Sequence, residues 1–316
     1  MTEPVEVRFP SDGLELVGHL RLPDRAGATI VGDTPGPGPA LVFTGPLTGV
    51  KEQVTGTYAA ALTERGYVTL AFDHRNYGAS GGLPRQHEDP PGKLADLRDA
   101  LSWLAARPEV DGNRVGCVGV CLGGGYALRF AALDFRVKAL ATVAGGYNDP
   151  AAMRAGMGAT AYRDLLADLR KAAVRQHATG DVEYMDAVAP ARGPGSPQDD
   201  SGSALMGGDE PYAYYGTDRS ASAGWENRIS RTSLYELLTV DLAGGADFIS
   251  PTPWLVVHGR TDAYCSPDGA QAAFDRAGDP KRLLWLDTTN HIDLYDEAKY
   301  VDPAVDAVAA WFDEHL

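Results

Sequence analysis

Between residues 114 and 132 the chain passes from an apolar run, Arg114-Val115-Gly116-Cys117-Val118, through Gly119-Val120-Cys121-Leu122-Gly123 into Gly124-Gly125-Tyr126-Ala127-Leu128-Arg129-Phe130-Ala131-Ala132. The first piece reads as a buried strand, and the last as a helix with an Ala/Leu/Phe core face. A strand must therefore turn sharply into a helix within five residues, and no other segment restricts the fold as much. The glycines have a steric reason, because side chains do not fit where the strand and helix backbones converge. Cys121 occupies the crest of this turn, at a helix N-terminus whose unpaired N–H groups favour thiolate over thiol. It is either a nucleophile or a structural thiol buried in a Gly-rich turn.

The remainder of the chain alternates in the same way. Residues 5–9 and 14–22 flank Ser11-Asp12-Gly13 and read as an antiparallel hairpin. Buried strands are expected at 40–43, 68–72, 137–143, 254–258 and 282–286. Helices are expected at 58–65, 94–106 and 270–276, with a last one from Pro303 to His315. Residues 24–39 read as a Gly/Pro-rich loop. Strands alternating with helices predict an α/β fold, a mostly parallel twisted sheet with helices on both faces. Residues 146–250 break the alternation. They hold an amphipathic helix (162–176), a Gly/Pro/Ser/Asp-rich stretch (191–209) and a tyrosine cluster at Tyr212, Tyr214 and Tyr215, without a convincing buried strand. The expected domains are a core of 1–145 and 251–316 and a helical cap or lid insertion, 146–250.

The net charge of −15, without a Lys/Arg cluster to offset it, disfavours nucleic acid and anionic membrane as partners. No apolar run reaches the ~18 residues of a membrane span, and no signal-like N-terminus is present, so a cytoplasmic location is expected. Three cysteines in 316 residues argue against a disulfide scaffold. No Gly-x-Gly-x-x-Gly opens a βα unit, no P-loop occurs, and no His/Cys/carboxylate spacing reads as a metal set; no cofactor and no metal is expected. The expected partner is a small-molecule substrate, and the chain leaves room for a homodimer.

A nucleophile needs a base, and the base needs an orienting acid, each on a loop after a strand. Asp262 follows the strand at 254–258, and His291 follows the strand at 282–286, in the chain order nucleophile, acid, histidine. His258 reads as a packed residue within a strand; His19, His177 and His315 lie elsewhere, and His74 and His87 lie in loops that could line a site. Asp287 and Asp293 are too close to His291 in sequence to orient it. Developing negative charge needs two backbone donors. Leu122, after Cys121, offers one; Leu47, in the loop after 40–43, offers the other, with Thr48 as substitute because Pro46 has no N–H. Tyr77 and Tyr126 are candidates for substrate contact, and Arg75, Arg85 and Arg129 for a substrate carboxylate. Cys117 reads as an inert small hydrophobe, and Cys265 as a part-exposed thiol near Asp262.

These features resemble the dienelactone-hydrolase-like group of α/β-hydrolases, which uses a Cys-His-Asp triad and a Gly-x-Cys-x-Gly elbow. The stretches Gly49-Val50-Lys51-Glu52-Gln53, Leu70-Ala71-Phe72-Asp73, Glu109-Val110-Asp111 and His291-Ile292-Asp293-Leu294-Tyr295-Asp296 are similar to bacterial members. The resemblance implies Cys121 as nucleophile, His291 as base, Asp262 as its orienter, and Leu122 and Leu47 as oxyanion donors. The expected activity is hydrolysis of an activated ester, lactone or thioester through an acyl-thioester. The alternatives are acyl transfer or cyclisation of an aromatic or polyketide-like substrate at the same site, and a non-catalytic binding module. Two departures stand out. The insertion lengthens a compact fold, and Gly45-Pro46 replaces the glutamate that manages the thiol in dienelactone hydrolase.

Overall fold

The structure is a computed structural model and describes residues 3–24, 30–31, 34–190 and 204–316. Eight strands form the central sheet: β1 (Val5–Ser11), β2 (Leu14–Arg21), β3 (Gly38–Thr44), β4 (Val68–Phe72), β5 (Val110–Val120), β6 (Val137–Val143), β7 (Trp254–Gly259) and β8 (Lys281–Leu286). Their order is β1-β2-β4-β3-β5-β6-β7-β8. The first two junctions are antiparallel and the rest parallel. The parallel strands sit between helical layers, so they carry apolar residues on both faces: every residue of β4 and β7 is buried. The alternation predicts such a parallel sheet, and the arrangement is the α/β-hydrolase fold that the resemblance implies.

The helices follow the strands in register with that pattern. They are α1 (Val54–Glu64), α2 (Pro90–Ala105), α3 (Leu122–Ala131), α4 (Pro150–Met157), α5 (Ala159–Thr179), α6 (Asp209–Tyr215), α7 (Ser233–Thr239), α8 (Pro267–Arg276), α9 (Asp293–Asp296) and α10 (Ala298–His315). Helices α1 and α10 pack against each other on one side of the sheet, and α2 against α3 on the other. Several starts are fixed by caps: Asp89 accepts from Gly92 N–H, and Ser266 from Gly269 N–H, each before a proline in the first turn. Pro303 is a correction, since it lies inside α10, which begins at Ala298. The apolar face that α10 buries through Val305, Val308 and Phe312 outweighs the one backbone bond a proline removes.

Between β6 and β7, the described residues hold α4 to α7 and four two-residue strands, which among the described residues pair with each other. The expected helix at 162–176 is the middle of α5. The Gly/Pro/Ser-rich stretch lies outside the described residues up to 203. No helix among the described residues is long and apolar enough to cross a membrane.

Candidate active site

β5 ends at Val120 and α3 starts at Leu122, so Cys121 alone makes the turn, with φ 56° and ψ −129°. That backbone region is rare for a residue with a side chain. Here the surroundings enforce it: Cys121 N–H donates to Val143 O, while Cys121 O accepts from Gly124 N–H and Gly146 N–H. The two flanking glycines have no room to be anything else. A Cβ on Gly119 would lie 2.4 Å from Gly123 O, and one on Gly123 2.3 Å from Thr44 O. The Gly-x-Cys-x-Gly pattern is thus the record of α3 being pressed onto the ends of β5 and β3.

The loops after β7 and β8 deliver Asp262 and His291 to the same place. His291 Nδ1 lies 2.6 Å from Asp262 Oδ2, with both side chains almost wholly buried. Asp262 is itself held by the Tyr264 and Cys265 N–H groups, which donate to Oδ1 at 2.9 and 2.7 Å. Thr288 Oγ1 donates to Thr261 O and ties the two loops together. Asp293 accepts from Thr289 N–H, Thr289 Oγ1 and Asn290 N–H, bracing the histidine loop from below, and Asp287 is out in solvent on Arg260. Since Nδ1 is taken by Asp262, the Nε2 edge of the ring is the one left for other partners. Cys121 Sγ, Cys265 Sγ and a ring nitrogen of His291 all lie within 4.8 Å of one another.

Two residues in this cluster take places that the sequence reading does not give them. Cys265, expected to be part-exposed, is buried, and its Sγ lies 3.7 Å from Cys121 Sγ. Tyr295 brings its hydroxyl to 3.0 Å from His291 Nε2. Spacing ties each to a neighbouring loop residue but not to the thiol. Cys265 is three residues beyond Asp262 in a turn closed on that carboxylate, and Tyr295 is one helical turn beyond His291. No sequence spacing marks this grouping: Cys121, Cys265 and His291 are remote in sequence, and the fold assembles them.

The electrostatics follow from this packing. The S–H of Cys265 lowers the Cys121 thiol well below its ordinary value, helped by positive charge at His291 and by the Tyr295 hydroxyl, against the opposing effect of burial. Cys265 is correspondingly raised by donating to Cys121 and by burial. Burial alone would lower His291; the Cys121 thiolate and the Asp262 hydrogen bond overcome it and raise the imidazole. A thiolate–imidazolium pair with a neutral second thiol is the state these groups favour. Cys117, fully buried in β5, is pushed up by desolvation alone and has no such partner.

Other expected residues are placed elsewhere. Tyr77 and Tyr126 are fully buried, and their hydroxyls donate to Glu88 Oε2 and Oε1 at 3.1 and 2.6 Å, with Lys93 Nζ at 2.9 Å from Oε2. These tyrosines satisfy a buried carboxylate, and their hydroxyls are not presented to a ligand. Arg75 is bound to Asp96, and Arg85 to the Ser80 and Gly78 carbonyls, so neither is a spare anion anchor. His74 is held between Thr44 and Asp96, and His87 by Ser230. His258 is buried in β7 against the Gly259 carbonyl. Leu47 lies buried in the loop after β3, and Leu122 opens α3.

Residues between β6 and β7 pack against this cluster. Tyr214 and Tyr215 of α6 are buried, with ring centroids 5.1 and 6.3 Å from Tyr295. Glu210 accepts from Ile292 N–H, Tyr264 Oη donates to Gly207 O, and Arg219 grips Asp296 and Glu297.

Comparison with known proteins agrees with this architecture. The family model described as "Serine aminopeptidase, S33" matches residues 49–298. The uncharacterized protein PA2218 of Pseudomonas aeruginosa is 32% identical over 96% of this chain and 78% of that protein. Its crystal structure superposes with a TM-score of 0.84, covering 99% of this chain and 94% of that one. A "Thiohydrolase aneE" of Aspergillus aculeatus is 27% identical over 90% of this chain and 86% of that protein. A "Polyketide transferase" of Gibberella fujikuroi is 26% identical over 91% and 90%.

Proposed function

The chain belongs to the serine aminopeptidase S33 family of α/β-hydrolases, and from that premise we propose that it cleaves an activated ester, lactone or thioester using the Cys121 thiolate rather than a serine. The observation that carries this reading is the junction of Cys121, at the strained crest before α3, with a His291 whose Nδ1 is 2.6 Å from Asp262. It is the Cys-His-Asp arrangement of the dienelactone-hydrolase-like group. The thiolate attacks the acyl carbonyl, and the oxyanion rests on the Leu122 and Leu47 amides. The C–O or C–S bond of the leaving group breaks, and the His291 imidazolium protonates it. Asp262 keeps the ring in the orientation this needs. His291 then takes a proton from water, which attacks the thioester, and the acid departs as Cys121 is restored.

A thiolate is a better leaving group than an unprotonated amine, so collapse of an amide adduct tends to run backward unless His291 protonates the amine first. This disfavours the peptidase activity that the family's name denotes and favours acyl donors with good leaving groups. Residues 146–250 serve as the cap, with Tyr214, Tyr215 and Tyr295 forming an aromatic wall next to the thiol.

A second reading, transfer of the acyl group to another nucleophile, is favoured by the burial of Cys121 beneath that wall and by the relatives named as polyketide transferases. Turnover of aryl esters and acyl thioesters in 18O-labelled water separates the two. Hydrolysis puts the label into the acid, and transfer yields an unlabelled acyl product. Cys121→Ala loses both; if its turnover matches the wild type, thiol catalysis is wrong.

A further inference from the structure

The thioester chemistry uses one thiol, yet the site holds two. Cys265 is presented by a turn whose backbone is fastened to Asp262, so its position beside Cys121 is built into the loop that carries the acid. The two sulfurs are 3.7 Å apart, close to the ~3.8 Å edge of a tetrahedron with zinc–sulfur bonds of about 2.3 Å. A disulfide would need them at about 2.05 Å, a much larger displacement. The third donor is His291, whose Nδ1 is fixed by a carboxylate; this is the outer-shell arrangement that aims Nε2 at a metal.

We propose that Cys121, Cys265 and His291 form a Cys2His site for a soft divalent cation of the Zn2+ type, with the fourth position left to water or a small ligand. The site stands on geometry alone. Its consequence, that a bound ion silences the enzyme by occupying nucleophile and base together, rests on the thioester reading. Coordination takes both sulfurs as thiolates and His291 as neutral imidazole, so loading releases protons to solvent. Tyr295 gives up its hydrogen bond to Nε2 in exchange. On the Cys265 side, Tyr147, Tyr264 and Cys265 line a cleft of about 470 Å3 that reaches one of the three donors. Asp262 is the positioning residue, acting through the ring it orients.

The test is titration of the reduced, chelator-treated full-length protein with Co2+, read by its visible spectrum. The expected result is one equivalent bound, with the intense bands of a tetrahedral ion and thiolate-to-cobalt charge transfer, displaced by Zn2+. Cys265→Ala and, should that variant misfold, Cys265→Ser lose the charge-transfer signature, whereas Cys117→Ala keeps it. Asp262→Asn weakens Co2+ binding by about 10- to 100-fold. A spectrum like that of aqueous Co2+, or one unchanged in both Cys265 variants, overturns the site. Acylation of Cys121 in the metal-free wild type is followed in parallel by intact mass. Tetrahedral Co2+ binding without acylation leaves the metal site standing and removes the thioester reading. Acylation with only aqueous-type Co2+ spectra does the reverse.

Discussion

At the scale of single residues, reactivity is set by neighbours that share no sequence segment with the thiol. Cys117 and Cys121 are four positions apart, yet one is raised by burial and the other lowered by Cys265, His291 and Tyr295. The folded protein should therefore react with iodoacetamide at Cys121 alone among this pair. Because the thiol value is depressed, the thiolate persists below the ordinary ~8.5, and the alkylation rate should climb less steeply with pH there than for an unperturbed thiol. Peptide mapping of the alkylated protein checks this. A rate climbing tenfold per pH unit through that range would mean an ordinary thiol. Cys265→Ala should steepen the profile by removing the S–H that Cys121 accepts. The sequence shows Cys121, Asp262 and His291 because each follows a strand at a glycine-rich or polar loop. It does not show Cys265 or Tyr295 as neighbours of the thiol, because their roles come from how two loops fold onto each other.

At the scale of elements, the turn into α3 and the network behind β4 are the places where the fold is least tolerant. Gly123→Ala forces a Cβ against the Thr44 and Gly45 carbonyl oxygens at 2.3 and 2.7 Å, and backbone cannot yield as a side chain would. It should cost about 1–3 kcal/mol, read as a lower thermal midpoint, and should lower turnover by shifting the loop that carries Leu47. Asp96 of α2 receives Ser11 Oγ, Arg75 N–H and the Arg75 guanidinium, beside His74. Burial would raise its carboxyl, but His74 and Arg75 hold it down to about 2. A folded value below the unfolded ~3.9 means this stability is fully present above that pH and is lost as pH falls towards about 2. Acid titration of unfolding should show the loss, worth about 2 kcal/mol, and Asp96→Asn should flatten that part of the curve. An unchanged curve would mean the carboxylate is not held by charge. Strand and helix existence was legible from period and punctuation throughout the core. Boundaries were less so: α10 starts before Pro303 because its buried face extends back to Tyr300 and Val301, which a rule about proline positions does not register.

At the scale of the whole molecule, the sheet delivers three loops to one edge, and residues between β6 and β7 pack against them. The sequence marks the insertion by its broken alternation, but not which of its tyrosines face inward. Tyr214 and Tyr215 are buried against Tyr295 while Tyr212 is only partly so, a consequence of how α6 is rotated. Likewise Tyr77 and Tyr126 read as substrate contacts, but the buried Glu88, from the same β4–α2 connection as Tyr77, claims both hydroxyls. On the proposal that residues 146–250 act as a cap, its clamp is Arg219 on Asp296 and Glu297, groups about a third to a half exposed. Arg219→Ala should cost below about 1 kcal/mol of stability. It should raise KM more than it lowers kcat, because the clamp orders the wall over the thiol without touching the reacting bond. Equal losses in both, or none, would speak against a cap that closes there.

The most direct test is intact-protein mass spectrometry after mixing the enzyme with an aryl ester or acyl thioester and quenching in acid. The expected result is one acyl group per chain, mapped by peptide fragmentation to Cys121, absent in Cys121→Ala and slower to clear in His291→Ala. Turnover that proceeds with no acylated chain, or an acyl group carried on any other residue, would contradict the account.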